Sequence, residues 1–257
     1  MLSKFLSMAL LSLISLNASA SPSPVIIQKI ISQGVPEDAL SRLLKFMDDF
    51  KGRSFIQDIY TCVGADPASV TPCEESKRIR SSKLVTLNEP QQVVIIDYGE
   101  PSTVFRFFLI NLTTGAVTRF YSSHGVGSGK SNFASKFSNL KDSKQTSLGI
   151  YLTGETYSGR YGRTLRMYGL QGSNDQAYNR DIVLHGAWYV GDEFINSIDP
   201  LTGQKYGRLG LSWGCPAVSS SLIQKLITTL GYGSLIMHYY SSLMDEAMTG
   251  QEVVAIP

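Results

Sequence analysis

Cys215 stands in the stretch RLGLSWGCPAV, residues 208–218, after a glycine and before a proline. It is one of three cysteines in the chain. The other two, Cys62 and Cys73, frame a polar loop with two prolines, TCVGADPASVTPC. In an oxidising compartment such a pair is expected to close a disulfide, typically worth about 2–4 kcal/mol, rather than stand as two surface thiols. Cys215 is then left over. A leftover thiol in an exported chain points to an intermolecular bond or a reactive nucleophile, with an inert buried cysteine as the plainer reading.

A thiol attacks as its thiolate, and at an ordinary pKa near 8.5 only about 3% is ionised at pH 7. An imidazole or a cluster of backbone N–H groups raises that fraction. Three histidines compete for the role. His185 ends the apolar run Ile182-Val183-Leu184 and precedes Gly186. Strand ends are where sites are built, so His185 is the expected catalytic base, against a hydrogen-bonded core histidine. His124 lies in the glycine-rich SSHGVGSGK. That spacing does not make a phosphate loop, and His124 is expected either to contact substrate or to be an ordinary loop residue. His238, inside Met237-His238-Tyr239, reads as a partly exposed strand histidine. No two histidines lie at ligand spacing, so neither a metal nor an organic cofactor is expected.

Three stretches, SLGIYLTGETYSG, IVLHGAWYV and GRLGLSWGCPAV, resemble the L,D-transpeptidase catalytic domain, and more closely the murein L,D-transpeptidase catalytic domain-like branch. The likeness covers about residues 91–240 and is sharpest at His185-Gly186 and Ser212-Trp213-Gly214-Cys215. It implies a β-sandwich of mixed sheets and a cysteine acyl-enzyme formed on peptidoglycan stem peptides. Cys215 is then the nucleophile, His185 its base, and the carbonyl of Gly186 the group that orients the ring. Trp213, Gly214 and Cys215 offer successive backbone N–H groups to an oxyanion. Ser212 would hydrogen-bond near the thiol or cap the turn.

Two departures stand out. Better-known members read Ser-His-Gly-Cys where this chain has Trp213, and carry arginine or asparagine where it has Ala217. Charge for the peptide's carboxylates would come instead from Arg208, Arg166 or Arg180, each with a solvated-surface alternative, which is favoured for Arg180. Tyr157 and Tyr189 flank the motifs, either lining a peptide groove or buried in strands. Residues 191–207 are expected as an inserted loop over the cleft.

The elements that must position these residues follow from periodicity. Residues 25–50 read as helix in two pieces, restarted at Pro36, with Leu40, Leu43, Leu44 and Met47 as a buried stripe. From Gln91 the period becomes two. Strands are expected at 93–98, 103–112, 116–125, 147–157, 164–170, 181–190 and 233–240, with one helix at 219–231. The fold class is mainly β (α+β): a mixed-sheet β-sandwich catalytic domain behind an N-terminal helical segment. The expected divisions are a leader at 1–20, the helical segment and disulfide loop at 21–90, the catalytic domain at 91–240, and a polar tail at 241–257.

The first twenty residues read as a secretory signal peptide: Lys4, an apolar run from Phe5 to Leu16, and the small-x-small site Ala18-Ser19-Ala20. That run falls short of the roughly 20 apolar residues a membrane span needs. The mature chain is therefore expected in the bacterial periplasm or envelope, with no transmembrane segment. A formal net charge of +2 recommends no nucleic acid partner. The expected function is exported, cysteine-dependent acyl transfer on peptidoglycan stem peptides, with other envelope proteins as further partners. Two alternatives stay open: an L,D-carboxypeptidase or crosslink hydrolase using the same cysteine, and a catalytically inactive murein-binding protein.

Overall fold

In a computed structural model, residues 21–66 and 68–248 are described. Ser23 caps the first helix, α1 (Pro24–Ile31), by accepting the N–H of Ile26, with Pro24 in the first turn. Pro36 precedes α2 (Glu37–Phe50), whose first turn carries Glu37 and Asp38. That helix buries Leu40, Leu43, Leu44 and Phe46. The expected stripe therefore holds, with Phe46 added and Met47 only partly covered.

Between the helices and the sheet lies an antiparallel hairpin that periodicity did not reveal: β1 (Ser54–Cys62) and β2 (Arg78–Thr86). Only one face of it is covered, and β2 is mostly exposed, carrying Arg80, Ser81, Ser82 and Lys83. A strand so polar leaves no apolar alternation to read. Cys62 and Cys73 form the expected disulfide at the end of this hairpin.

The main sheet has eight strands: β3 (Gln92–Asp97), β4 (Phe107–Asn111), β5 (Val117–Phe120), β6 (Gly149–Gly159), β7 (Gly162–Gly169), β8 (Val183–Ala187), β9 (Ala217–Ser219) and β10 (Leu235–Tyr239). Their order is β5-β4-β3-β10-β6-β7-β8-β9. β3–β10 and β8–β9 are parallel and the other pairs antiparallel, so the sheet is mixed, as expected of this mainly β chain. Val93–Ile96 and Leu235–Met237 are fully buried, which explains their continuous apolar runs at the centre of the sheet. α4 (Ile223–Leu230) packs Ile223, Leu226, Ile227 and Leu230 into the core and ends at Gly231.

The sheet curls until its far ends meet. Beyond β5, Ser123 donates its N–H to the carbonyl of Ala217 in β9, and Gly125 bridges Ser212. This closure sets the 122–126 segment against the turn that carries the thiol. Several strands are shorter than periodicity suggested.

The stretch after Tyr240 is not a loose polar tail as far as it is described. A short helix, α5 (Met244–Ala247), buries Met244 and Ala247, and Ser173 Oγ donates to the Ala247 carbonyl at 2.6 Å. The expected leader at 1–20 and the remainder of the tail lie outside the described residues. Among the described residues, no helix is long and apolar enough to cross a membrane.

Candidate active site

The parallel pairing of β8 with β9 aligns His185 with Ala217, and the N–H of His185 reaches the carbonyl of Pro216 at 3.4 Å. Cys215 lies one residue further back. The two candidate side chains line one cavity of about 420 Å³, together with Ser212, Trp213, Tyr161, Tyr189 and Arg180.

The turn at Cys215 is built by Ser212. Its Oγ donates to the Cys215 carbonyl at 2.6 Å and accepts the Gly214 N–H at 3.2 Å. Its own N–H goes to the His124 carbonyl, and its carbonyl accepts from Val126. Gly214 sits at φ +118°, where a Cβ would lie 2.7 Å from the Gln145 carbonyl oxygen. A side chain fits there neither sterically nor conformationally.

The imidazole of His185 is buried, and its Nδ1 lies 3.1 Å from the carbonyl oxygen of Gly186. A carbonyl only accepts, so Nδ1 carries the proton and Nε2 is left as the basic nitrogen. Desolvation lowers the histidine's pKa, with the Gly186 carbonyl working against that. The ring of Tyr161 stacks on it at 4.7 Å and 30°. The Cys215 thiol donates to the Asp181 carbonyl at 3.5 Å. Desolvation pushes the thiol up to about 11 and the Asp181 charge adds to this, while the Val183 N–H, Arg180 and Arg166 pull it down. Both shifts favour the neutral forms, raising the thiol and lowering the imidazole.

Several sequence expectations about this region are corrected. The Gly214 N–H is engaged by Ser212, which removes it from the three expected oxyanion donors and leaves those of Trp213 and Cys215. Arg166 is fully buried: it pairs with Asp181 at 2.9 Å and donates to the Val70 carbonyl, so no substrate reaches it. Arg208 donates to the Leu209 carbonyl and lies over the Tyr206 ring, off the cavity lining. Arg180, read as a surface residue, is half-buried and lines the cavity. Its donors meet the Ser138 carbonyl, Ser147 Oγ and the Gln145 carbonyl, all neutral acceptors.

His124 is also fully buried. Its ring nitrogens face Arg106 at 2.9 Å and the Gly129 carbonyl at 3.2 Å, and desolvation pushes its pKa down to about 4. It serves the site through its backbone carbonyl, not by touching substrate. His238 is buried rather than partly exposed, with Nδ1 at 2.9 Å from the Ser147 carbonyl and a pKa likewise pushed to about 4 by desolvation. Tyr189 lines the cavity; Tyr157 does not, and its ring lies 5.2 Å from the Arg166 guanidinium. The 191–207 segment contains α3 (Asp192–Asn196), and its Phe194 and Tyr206 rings stack at 4.5 Å. None of its residues belongs to the described lining of the cavity.

Three contributors went unread. Tyr161 sits at the β6–β7 turn, where Gly159 and Gly162 were its only signal. Lys144 places Nζ 4.6 Å from the ring of the exposed Trp213. Asp181, the acid just before the IVLH run, sits at φ +55°. Among the described residues, no group of three or more His, Cys, Asp or Glu could hold a metal ion.

A family model described as the L,D-transpeptidase catalytic domain matches residues 74–239. Among solved structures, Bd1075 of Bdellovibrio bacteriovorus is 16% identical over 62% of this chain and 53% of its own, with a TM-score of 0.33. An L,D-transpeptidase from Mycobacterium smegmatis is 13% identical, covering 63% of each chain at a TM-score of 0.33. One from Xylanimonas cellulosilytica is 14% identical over 85% of this chain and 95% of its own, at 0.32. The chain spans about half the length of the first and under two thirds of the second. No curated protein matches.

Proposed function

The chain belongs to the L,D-transpeptidase catalytic domain family, and from that membership we propose an exported cysteine acyltransferase acting on peptidoglycan stem peptides. The observation that carries the reading is the shared cavity of Cys215 and His185, with the imidazole held so that Nε2 is its base. The disulfide is compatible with export, which the leader expected at 1–20 would direct.

In the proposed reaction, Sγ attacks the carbonyl that joins the L-centre of a diamino acid to a terminal D-alanine. The thiol proton passes to His185 Nε2 as the C–S bond forms, so the thiolate need not accumulate beforehand. The backbone N–H groups of Trp213 and Cys215 face the negative oxygen of the tetrahedral intermediate. The C–N bond then breaks, and the departing D-alanine amine takes the proton from His185. A thioester remains. The amine of a second stem attacks it, a proton returns through His185 to sulfur, and a new peptide bond crosslinks the two stems. Arg180, whose acceptors are neutral, supplies charge for a donor carboxylate, with Lys144 at the mouth.

Purified disaccharide-tetrapeptide incubated with the protein, with products read by mass spectrometry, tests this. Crosslinked dimers that vanish in Cys215→Ala support it. Shortened stems alone would make the protein a carboxypeptidase. Unchanged substrate, or products that persist in Cys215→Ala, would overturn the reading.

A further inference from the structure

Asp181 belongs to no expected role, yet it touches both the thiol and the N-terminal hairpin. Its carboxylate accepts from Arg78 Nη2 at 2.6 Å and Arg166 Nη1 at 2.9 Å, and from the hydroxyl of Tyr60. These partners come from β2, β7 and β1. The same arginines are anchored by the disulfide-closed loop: Arg166 donates to the Val70 carbonyl from both Nε and Nη2, and Arg78 Nε donates to the Cys73 carbonyl at 3.1 Å. The Cys62–Cys73 bond closes that loop.

The other end of Asp181 faces the cavity. Its backbone carbonyl accepts the Cys215 thiol, and φ +55° is a conformation that asparagine and aspartate tolerate but most residues resist. Two guanidinium groups on one carboxylate fix the residue in that uncommon backbone state, and with it the direction of the carbonyl. We propose that Asp181 is a positioning residue for Cys215, its carboxylate locked by Arg78 and Arg166 and its carbonyl aimed at the thiol, with the disulfide loop holding the lock. The proposal rests on Cys215 being the nucleophile.

The lock has a chemical consequence. A carbonyl acceptor favours the protonated sulfur, and the Asp181 charge acts in the same direction, whereas Arg180 and Arg166 favour the thiolate. The charged groups facing Asp181 itself are Arg78 and Arg166, with the Tyr60 hydroxyl between. Replacing the carboxylate by an amide keeps the residue's size and its tolerance of positive φ, removes the charge, and loosens both arginines. Opening the disulfide loosens the same arginines without changing any charge. Both changes should free the thiol from its acceptor.

The test is the rate of Cys215 alkylation by iodoacetamide in the whole protein, followed by peptide mass spectrometry between about pH 7 and 11. In Asp181→Asn, and separately in Cys62→Ala/Cys73→Ala, the midpoint is expected to fall by about half a unit or more, a rise of about threefold in rate at fixed pH. Turnover should nevertheless fall, with KM little changed, because the sulfur is freer but less well aimed. A purely structural role would lower melting temperature while leaving the midpoint of the folded protein in place. A midpoint unmoved or raised in the folded variants overturns the proposal. The disulfide variant decides alone if Asp181→Asn fails to fold. Loss of crosslinked products in Cys215→Ala is a separate measurement, so failure here and failure of the acyl-transfer reading are told apart.

Discussion

His185 gives its backbone N–H to the carbonyl of Pro216, at 3.4 Å, in a parallel ladder of only three residue pairs. Those pairs join the strand carrying the imidazole to the strand that begins just past the thiol. Register in a ladder is all-or-none, since a slip of one residue turns every side chain to the other face. The relative placement of His185 and Cys215 is therefore a property of β8–β9 pairing, braced by α4 against Gly186, where a Cβ would meet Ile223 at 2.8 Å.

The first prediction concerns pH. Burial lowers His185 below the ordinary imidazole value, so the ring stays neutral and able to accept a proton down to below about pH 6.5. kcat/KM for a tetrapeptide donor should hold at neutral pH and fall on an acidic limb below that value. An acidic limb centred at pH 7 or above would contradict a desolvated imidazole acting as base.

Arg180→Gln removes the cavity-lining guanidinium that has only neutral acceptors. A charge-assisted hydrogen bond contributes about 1.5–3 kcal/mol, so KM should rise by about tenfold or more for donors ending in a free carboxylate. Donors amidated at that end should show little difference between variant and wild type. An equal loss on both would mean that Arg180 serves the fold.

Gly214→Ala places a Cβ 2.7 Å from the Gln145 carbonyl oxygen and 3.2 Å from Arg180 Nη2, at φ +118°. Gly203→Ala, also at positive φ (+70°), meets nothing within 4 Å. The second change should cost only the conformational penalty of about 1 kcal/mol. The first should cost distinctly more, on the order of 2–3 kcal/mol, and lose activity in the fraction that folds. Urea denaturation of the pair checks the ranking.

Acid should destabilise the protein through two histidines outside the reaction. His124 and His238 have folded-state pKa values of about 4, below the roughly 6.5 of an unfolded chain. The unfolded state therefore binds protons that the native state refuses. Their stabilising contribution is complete above about pH 6.5 and declines as pH falls towards 4, by on the order of 3 kcal/mol for each histidine. Unfolding midpoints at pH 7 and pH 5 should show the drop, and His238→Gln should reduce it.

Local chemistry made much of this protein readable from its sequence. The odd cysteine, the histidine ending an apolar strand and the Ser-Trp-Gly-Cys turn identified one set of atoms, and period-two patterning identified a mainly β chain. These are short-range properties: which residue types occur, and how they alternate. The hairpin at 54–86 escaped because one of its strands is mostly polar and exposed, so its pairing left no trace in the pattern. The surroundings of the arginines are hidden in the sequence for a related reason. Whether a guanidinium is buried against a carboxylate or open to a cavity depends on partners such as Asp181 and Arg78, 103 positions apart, and sequence position does not encode such proximity. The partner of the Cys215 thiol is likewise a carbonyl 34 residues away, ahead of another strand. Residue types and their alternation were enough to single out candidate groups and the class of fold. Their burial, their hydrogen-bond partners and the arginine beside them came from the closed sheet, because desolvation and hydrogen bonding act through space rather than along the chain.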